Sequence, residues 1–328
     1  MSLSEFDIIT RYFNQSGLCA DPTLHRNIVT GIGDDAGVIK VPRGKELVLS
    51  MDVLVSGVHF PVNADAAMIA KRALAVNLSD LAAMGADPLC FTLGLTMPDP
   101  QPNWLEAFAT GLKESAQQYG CPLIGGNLSR GPLQIAIQVQ GLVPSGKALL
   151  RSGAKPGHDV YVSGQPGRAG LALEYLQGKL SELNAAQEAE LRSAYYCPEP
   201  RLALGISLRG IASAAQDISD GLLADTGHLA EASRVGMVLQ VAALPLAGVL
   251  TAIHSSEAVF RMVLSAGDDY ELVFTAPAGK KNAVAKAARE VGVKVTRIGK
   301  VVKGSGVTVM DLTGMPMDIE EEGFRHFA

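Results

Sequence analysis

The chain has 328 residues, of which 48% are hydrophobic and 19% are charged, and its formal net charge is -5. This length predicts two domains, and the negative charge disfavours a general surface for nucleic acid or membranes, which are polyanionic. A nucleoside triphosphate would also be repelled, unless divalent cations lie between its phosphates and the carboxylates of the protein.

The cysteines and the N-terminal residues favour a cytoplasmic protein. Cys19, Cys90, Cys121 and Cys197 are far apart and form no C-x-x-C pair, which is typical of reduced thiols rather than a disulfide framework or a zinc site. The start, MSLSEFDIITRYF, has acidic residues where a signal peptide needs a basic and then an apolar run. No apolar stretch approaches the roughly 18 residues that indicate a membrane span.

The first half of the chain predicts alternating strands and helices. Ala- and Leu-rich residues at helical spacing predict a helix that stops before Gly85, and Pro102 lies in the first turn of the next helix. Strands are predicted at 45–52, 89–98, 121–127 and 133–143, and helices at 64–84 and 102–119.

A segment rich in Gly, Pro, Ser and Lys, PSGKALLRSGAKPGH, follows Val143 and predicts a linker between domains 1–145 and 150–328. A second alternating series then begins with the strand DVYVSG. Helices are predicted near 168–178, 185–195, 200–210 and 220–233, and strands near 237–241, 271–275, 294–299 and 307–310. This alternation predicts an α/β architecture.

Carboxylates recur where an apolar element meets a loop, and Asp80 lies within a helix otherwise fit for burial. The segments are GIGDDAGV with Asp34 and Asp35, LSMD with Asp52, AVNLSDLAAMGADP with Asp80, QDISDGL with Asp217 and Asp220, and SAGDDYEL with Asp268 and Asp269. Each has a structural interpretation: Asp34 and Asp35 suit a turn, and Asp220 taken alone is more readily a helix cap. Asp80 fits either a solvated face shared with Asn77 or a site.

Together these carboxylates indicate metal-dependent phosphoryl transfer, because hard divalent cations neutralise several carboxylates and also bind phosphate oxygens. The chain contains no G-x-x-x-x-G-K-[ST] loop and no G-x-S-x-G motif. GIGDDAG only approximates G-x-G-x-x-G, and its aspartates would repel a pyrophosphate, which disfavours a Rossmann dinucleotide site.

The motifs GIGDDAGV, SMDVLVSGVHF, AVNLSDLAAMGADP, LIGGN, RSGAKPG, DISDGL and GDDYEL occur in the order found in the thiamine-monophosphate kinase family, which the chain resembles over nearly its whole length. The resemblance implies a two-domain α/β fold with mixed sheets, the PurM-like fold of the aminoimidazole ribonucleotide synthetase superfamily. It also implies a homodimer in which the N-terminal domains pair into an intersubunit β-barrel.

The activity that the resemblance implies is phosphorylation of thiamine monophosphate by ATP, in thiamine diphosphate biosynthesis, by direct in-line transfer with no covalent nucleophile. The implied ligands of several Mg²⁺ ions are Asp35, Ser50, Met51, Asp52, Asp80, Asn127, Asp217 and Asp220. The implied ATP contacts are Gly125, Gly126, Arg151 and Ser219. The implied contacts of thiamine monophosphate are His59, Asp268 and Phe324, which offer a phosphate partner, a negative charge and an aromatic face.

This chain departs from the family pattern at three positions. Asn127 replaces a usual magnesium-binding Asp, so one negative charge is lost and we expect a higher magnesium requirement. Asp268 stands where Glu is common, and Met51 stands where Thr is frequent and offers only a backbone oxygen.

Two alternatives follow from the same residues. The chain could be another ATP-dependent member of the superfamily, such as an aminoimidazole ribonucleotide synthetase. It could also be a non-catalytic nucleotide- or thiamine-binding regulator, in which Asn127 marks lost catalysis. Retention of the carboxylates Asp35, Asp52, Asp80, Asp217 and Asp220 disfavours that loss.

Overall fold

The computed structural model describes residues 4–21, 23–180, 183–317 and 319. The chain divides into two compact units, the first comprising Met1–Leu81 and Ala86–Gly146, the second Ala82–Gly85 and Lys147–Ala328. Among the described residues, no helix combines the length and apolar character needed to cross a membrane.

The first unit contains a four-stranded mixed sheet. The elements of this unit, in chain order, are α1 (Glu5–Ile8), a π-helical segment (Ile9–Phe13), β1 (Ile28–Thr30), β2 (Val38–Ile39), β3 (Lys45–Val55), α2 (Ala66–Ala83), β4 (Asp87–Met97), α3 (Pro102–Tyr119), β5 (Leu123–Arg130) and β6 (Gln134–Pro144). The strand order is β3-β6-β4-β5, in which β4 and β5 are parallel and the other pairs antiparallel. Strands β1 and β2 form a separate antiparallel pair.

Helix α2 is the apolar element that carries Asp80. The Asp65 carboxylate accepts the Met68 N–H (3.0 Å) at its start. At its end, Gly85 adopts φ +63° and the Ala86 N–H reaches the Leu81 carbonyl (2.8 Å), the pattern of a Schellman motif. Gly111 of α3 packs directly against it, because an added Cβ there would lie 2.3 Å from the Ala67 carbonyl oxygen. The helix is thus fixed at both ends and along one side.

The second unit is built on a seven-stranded sheet. Its elements are β7 (His158–Ser163), α4 (Arg168–Leu176), α5 (Ala185–Tyr196), α6 (Leu202–Ser207), β8 (Ala214–Asp217), α7 (Leu222–Ser233), β9 (Gly236–Gln240), α8 (Gly248–Ile253), α9 (Ser256–Ser265), β10 (Leu272–Pro277), α10 (Lys281–Glu290), β11 (Val295–Val302), β12 (Gly306–Met310) and β13 (Pro316–Met317). The order is β13-β12-β9-β11-β7-β10-β8, with β12 and β9 parallel and the other pairs antiparallel.

The predicted helices and strands are all present, most with bounds within three residues of the prediction, and the mixed sheets are confirmed. The helix predicted at 200–210 is shorter, since α6 ends at Ser207 and the chain turns through Gly210 at φ +71°. Within the described residues the four-stranded sheet is open, with β3 and β5 at its edges, so the intersubunit barrel stays a prediction.

Candidate functional site

Strand β3 places two of the predicted metal ligands beside Asp80. Side chains alternate along a strand, so Ser50 and Asp52 share one face, and the exposed Met51 lies on the other. The Ser50 hydroxyl donates to Oδ2 of Asp80, and Asn77 of the same helix accepts the Asp52 N–H through Oδ1 (2.9 Å). The structure therefore brings Ser50, Asp52 and Asp80 together.

The electrostatics of this group suit a cation. Burial, and then the neighbouring charge of Asp80, raise the pKa of Asp52 to about 6. Asn77 is completely buried and donates to the Ala73 carbonyl (2.8 Å), so the interpretation of Asn77 and Asp80 as a shared solvated face is wrong. A hydroxyl and two carboxylates offer only hard oxygen donors, the set that Mg²⁺ prefers.

A cavity of about 750 Å³ lies along the other edge of the first unit's sheet. Asp35 and Asn127 both line it, together with the glycine-rich segments 31–37 and 125–126 and an apolar side formed by residues that include Phe6 and Phe13. Glycine is required at position 126, because an added Cβ would lie 1.9 Å from the Leu93 carbonyl oxygen. The volume is that of a small-molecule site.

Strand register relates the cavity to the group on β3. Asp52 pairs with Ile137, Ile137 with Leu93, and Leu93 with Gly126, so all four lie in one row across the sheet. Three strand spacings separate Asp52 from Gly126, about 14 Å. That span is too long for one ion, so Asp52 and the Asn127 end of the row would have to bind different ions.

In the second unit, two predicted site loops are joined by backbone hydrogen bonds. The Asp268 N–H donates to the Ser219 carbonyl (2.8 Å), and the Tyr270 N–H donates to the Ile218 carbonyl (2.8 Å). The segment DISDGL, with Asp217, Ser219 and Asp220, is thereby held against the segment GDDYEL, with Asp268. The sequence places these segments about fifty residues apart, and the structure brings them together.

The loop Ser219–Gly221 is held by a residue that the sequence analysis did not single out. Oδ2 of Asp225 accepts the N–H groups of Ser219, Asp220 and Gly221 at 3.0, 3.0 and 3.1 Å. Its Oδ1 accepts the side-chain amide of Gln216 at 2.6 Å. Burial, and then the charge of Asp220, raise the pKa of Asp225 to about 6.

The interpretation of Asp220 as a helix cap is therefore wrong. Helix α7 begins at Leu222, and its first residues follow Gly221 at φ +129° without a side-chain cap from Asp220. The N–H groups ahead of the helix turn back to Asp225, one turn further on. An acidic residue in the first helical turn was the available sequence signal. Among the described residues, Asp220, Asp225 and His228 place one ligand atom each within 4.8 Å of one another.

The GDDYEL segment has an unusual backbone that presents Asp268. Asp268 and Tyr270 adopt φ +68° and +51°, a left-handed region that tyrosine rarely adopts, and the Tyr270 hydroxyl donates to Oδ1 of Asp268 (3.0 Å). Between them, Asp269 accepts the N–H groups of Gly167 (2.6 Å) and Ala169 (3.3 Å). Desolvation raises the pKa of Asp269 to about 7.

Glu271 anchors the end of the same segment. It is almost completely buried, accepts two hydrogen bonds from the Arg201 guanidinium (2.6 and 2.7 Å), and accepts the Ser163 hydroxyl (2.5 Å). A paired and hydrogen-bonded carboxylate of this kind tolerates burial. Alternate residues of the segment therefore have different roles, with Asp269 and Glu271 as anchors and Asp268 held by Tyr270.

Three further residues were predicted to contact ATP or thiamine monophosphate, namely His59, Arg151 and Phe324. His59 is half-buried and its Nδ1 accepts the Val55 N–H (3.0 Å), which places the proton of the neutral ring on Nε2 as a donor. Arg151 is exposed, and its carbonyl accepts the Ser233 hydroxyl (3.1 Å). Phe324 lies outside the described residues.

Comparison with known proteins identifies both parts of the chain. Residues 33–143 match the family of AIR synthase related protein, N-terminal domain, and residues 155–311 match the corresponding C-terminal domain. The thiamine-monophosphate kinase of Escherichia coli (strain K12) is 40% identical over 328 residues, covering 100% of this chain and 99% of that protein.

Solved structures agree. A thiamine-monophosphate kinase from Stenotrophomonas maltophilia K279a matches with a TM-score of 0.85 and 42% identity, covering 94% of this chain and 97% of that one. A structure described as AaThiL complexed with AMPPCP and TMP matches with a TM-score of 0.77 and 31% identity, covering 88% and 89%. With its two matched domains and its full-length relatives, the chain belongs to the thiamine-monophosphate kinase family, a family of phosphotransferases.

Proposed function

We propose that this chain transfers the γ-phosphoryl group of ATP to thiamine monophosphate, forming thiamine diphosphate, in a Mg²⁺-dependent reaction. The observation that carries the proposal is the grouping of Ser50, Asp52 and Asp80 on one face of the first unit. Full-length similarity to thiamine-monophosphate kinases supports the substrates, as does the related protein described in complex with AMPPCP and TMP.

ATP is proposed to bind along the cavity beside β5. Gly125 and Gly126 line this cavity with backbone and no side chain, which suits contact with phosphate groups. The apolar lining that includes Phe6 and Phe13 suits a purine ring, because aromatic and aliphatic side chains bind flat apolar rings well. In the second unit, Arg151 and Ser219 are the proposed further ATP contacts.

Mg²⁺ is proposed to bind the oxygen groups predicted from the sequence. In the first unit these are Asp35, Ser50, Asp52, Asp80, the Asn127 amide oxygen and the Met51 backbone oxygen, and in the second unit Asp217 and Asp220. Because these groups span too great a distance for one ion, several ions would bind, and those near Asp35 and Asn127 would offset the negative charge on the phosphates of ATP. Burial, and then the charge of Asp80, raise the pKa of Asp52, and a bound cation would offset both costs of the ionised carboxylate.

Thiamine monophosphate is proposed to bind through Asp268, His59 and Phe324. The Asp268 carboxylate, oriented by the Tyr270 hydroxyl, would face the cationic or aminopyrimidine part of the substrate. The Nε2–H of His59 would donate to the phosphate that accepts the transferred group, which favours the monophosphate over free thiamine.

Transfer is proposed to be direct and in line, without a phosphorylated enzyme. Burial raises the pKa of the thiols of Cys19, Cys90 and Cys121, the second of them to about 12, so these thiols are poor nucleophiles at neutral pH. The protein would act by positioning both substrates and by compensating charge.

A homodimer is proposed through β3. This strand lies at the edge of its sheet in the chain, and it exposes Leu47, Leu49 and Met51 at 38, 56 and 55% on one face. An apolar edge strand favours pairing with a second copy. Light scattering should give a dimer, and Leu49→Glu should shift it towards monomer. A monomeric wild-type protein would contradict the proposal. A cytoplasmic location likewise remains our prediction.

The decisive assay follows ADP release with Mg²⁺ and ATP, in parallel reactions with thiamine monophosphate, free thiamine and the substrate of aminoimidazole ribonucleotide synthetase. We expect turnover with thiamine monophosphate and its loss in Asp80→Asn. Turnover with the third substrate alone would establish the first alternative. Tight binding of thiamine monophosphate without turnover would establish the regulator.

A further inference from the structure

We propose that Asp225 is a positioning residue that fixes the loop Ser219–Gly221 in the conformation needed to bind nucleotide and metal. It would act through the loop and would not contact a substrate itself. The fixing of the loop stands on the geometry alone, and its consequence for ATP and Mg²⁺ rests on the function proposed above.

The hydrogen bonds of Asp225 support this role. One carboxylate oxygen accepts three consecutive N–H groups, those of Ser219, Asp220 and Gly221, at 3.0 to 3.1 Å. Three consecutive donors on one oxygen determine the path of the backbone, since each of the three peptide N–H groups must point at the Asp225 carboxylate. Asp225 is only 1% exposed, so water cannot easily replace it, and removing it would leave two half-buried donors and the buried Gly221 N–H without this acceptor.

The surroundings leave the loop little freedom to adopt another path. An added Cβ at Gly221 would lie 2.7 Å from the Ser265 carbonyl oxygen, and one at Gly267 would lie 2.3 Å from the Ser219 carbonyl oxygen. The loop is thus enclosed on its outer side by backbone and held on its inner side by Asp225. The side chains of Ser219 and Asp220 then project from a fixed backbone, which is the condition for binding phosphate and metal with defined geometry.

Gln216 allows the geometry of Asp225 to be separated from its charge. The Gln216 side-chain nitrogen donates to Oδ1 of Asp225 (2.6 Å), and among the described residues its buried Oε1 has no hydrogen-bond partner. In Asp225→Asn, the new amide oxygen can accept the three loop N–H groups. Its NH₂ can donate to Oε1 of Gln216 after that amide rotates by 180°. Asp225→Asn therefore keeps the acceptor and removes the charge, whereas Asp225→Ala removes both.

The proposal is tested first without substrates. Amide hydrogen exchange in the unliganded protein should be faster at Ser219–Gly221 in Asp225→Ala, by at least tenfold, and close to wild type in Asp225→Asn. Asp311 is the matched control, because its exposed carboxylate accepts the N–H groups of Thr313 and Met315 in a turn outside the site. Asp311→Ala should leave exchange at Ser219–Gly221 unchanged.

Calorimetric binding of AMPPCP with Mg²⁺ is the second readout, measured below the unfolding temperature of each variant. We expect Asp225→Ala to weaken binding about 10- to 100-fold, the usual effect of removing a group that orients a metal ligand. Asp225→Asn should restore most of the affinity, and KM for thiamine monophosphate should change less than KM for ATP.

Unchanged loop exchange in a folded Asp225→Ala would overturn the proposal, and so would an Asp225→Asn as defective as Asp225→Ala. A wild-type protein that does not phosphorylate thiamine monophosphate would refute the proposed function, whereas the exchange experiment on the unliganded protein would still decide the role of Asp225.

Discussion

Replacing Asp52 by asparagine should stabilise the metal-free protein and weaken its response to Mg²⁺. The pKa of Asp52 is raised from 3.8 to about 6, so the folded state holds the proton more tightly than the unfolded state. Below pH 3.8 both states are protonated and the charge carries no penalty. As the pH rises to about 6 the folded protein loses stability, and above that value the penalty is constant.

The pKa difference corresponds to a loss of about 3 kcal/mol in the free energy of unfolding when Asp52 is ionised. We expect about 2 kcal/mol, because the half-buried carboxylate keeps some contact with water. At pH 8 in EDTA, Asp52→Asn should therefore unfold several degrees above wild type, since about 1 kcal/mol shifts a domain of this size by roughly 4 °C. At pH 4 the two proteins should be nearly equal.

Mg²⁺ should reverse the order of stability, because a ligand stabilises only the form that binds it. Thermal scans with increasing Mg²⁺ should raise the unfolding temperature of wild type more than that of Asp52→Asn. Asp99→Asn is the control, because Asp99 is exposed and forms a surface ion pair with Arg130 (3.4 Å). A less stable Asp52→Asn in EDTA, or an equal Mg²⁺ shift in both proteins, would refute the reasoning.

Asn127→Asp should lower the Mg²⁺ concentration that gives half-maximal rate, because it adds a carboxylate beside the cavity. An unchanged magnesium dependence of the rate would show that this position binds no metal. Tyr270→Phe removes the hydrogen bond to Asp268, so KM for thiamine monophosphate should rise about fivefold with little change in kcat. An equal loss in kcat would assign Tyr270 a different role. His59→Ala should weaken binding of the monophosphate but not of free thiamine in calorimetry, and equal weakening of both would exclude a phosphate contact.

Sequence patterns predicted most of this fold because its elements carry strong local signals. The Ala- and Leu-rich α2, which Gly85 ends, and the apolar run of β3 needed no tertiary information, although β3 is an edge strand rather than the buried strand that such a run favours. The carboxylates Asp52 and Asp80 could be predicted as site residues for the same reason, since each is a polar residue in an apolar element.

Other features depend on contacts that no local pattern encodes. The distance between Asp52 and the Asn127 end of the sheet follows from the register of Asp52 with Ile137 and of Leu93 with Gly126, residues distant in sequence. The role of Asp225 depends on the path of Gly221 at φ +129°, which turns three N–H groups back towards the helix. A helix cap at Asp220 was the locally reasonable prediction, and the loop geometry replaces it.

Anomalous diffraction from crystals grown with Mn²⁺ and AMPPCP tests the central claim most directly, because it locates each ion against the carboxylates of the first unit. We predict Mn²⁺ peaks within about 2.3 Å of oxygens of Asp52 and Asp80, and the nucleotide phosphates beside Gly126 and Asp35. A bound nucleotide with no ion at Asp52 and Asp80 would contradict the account.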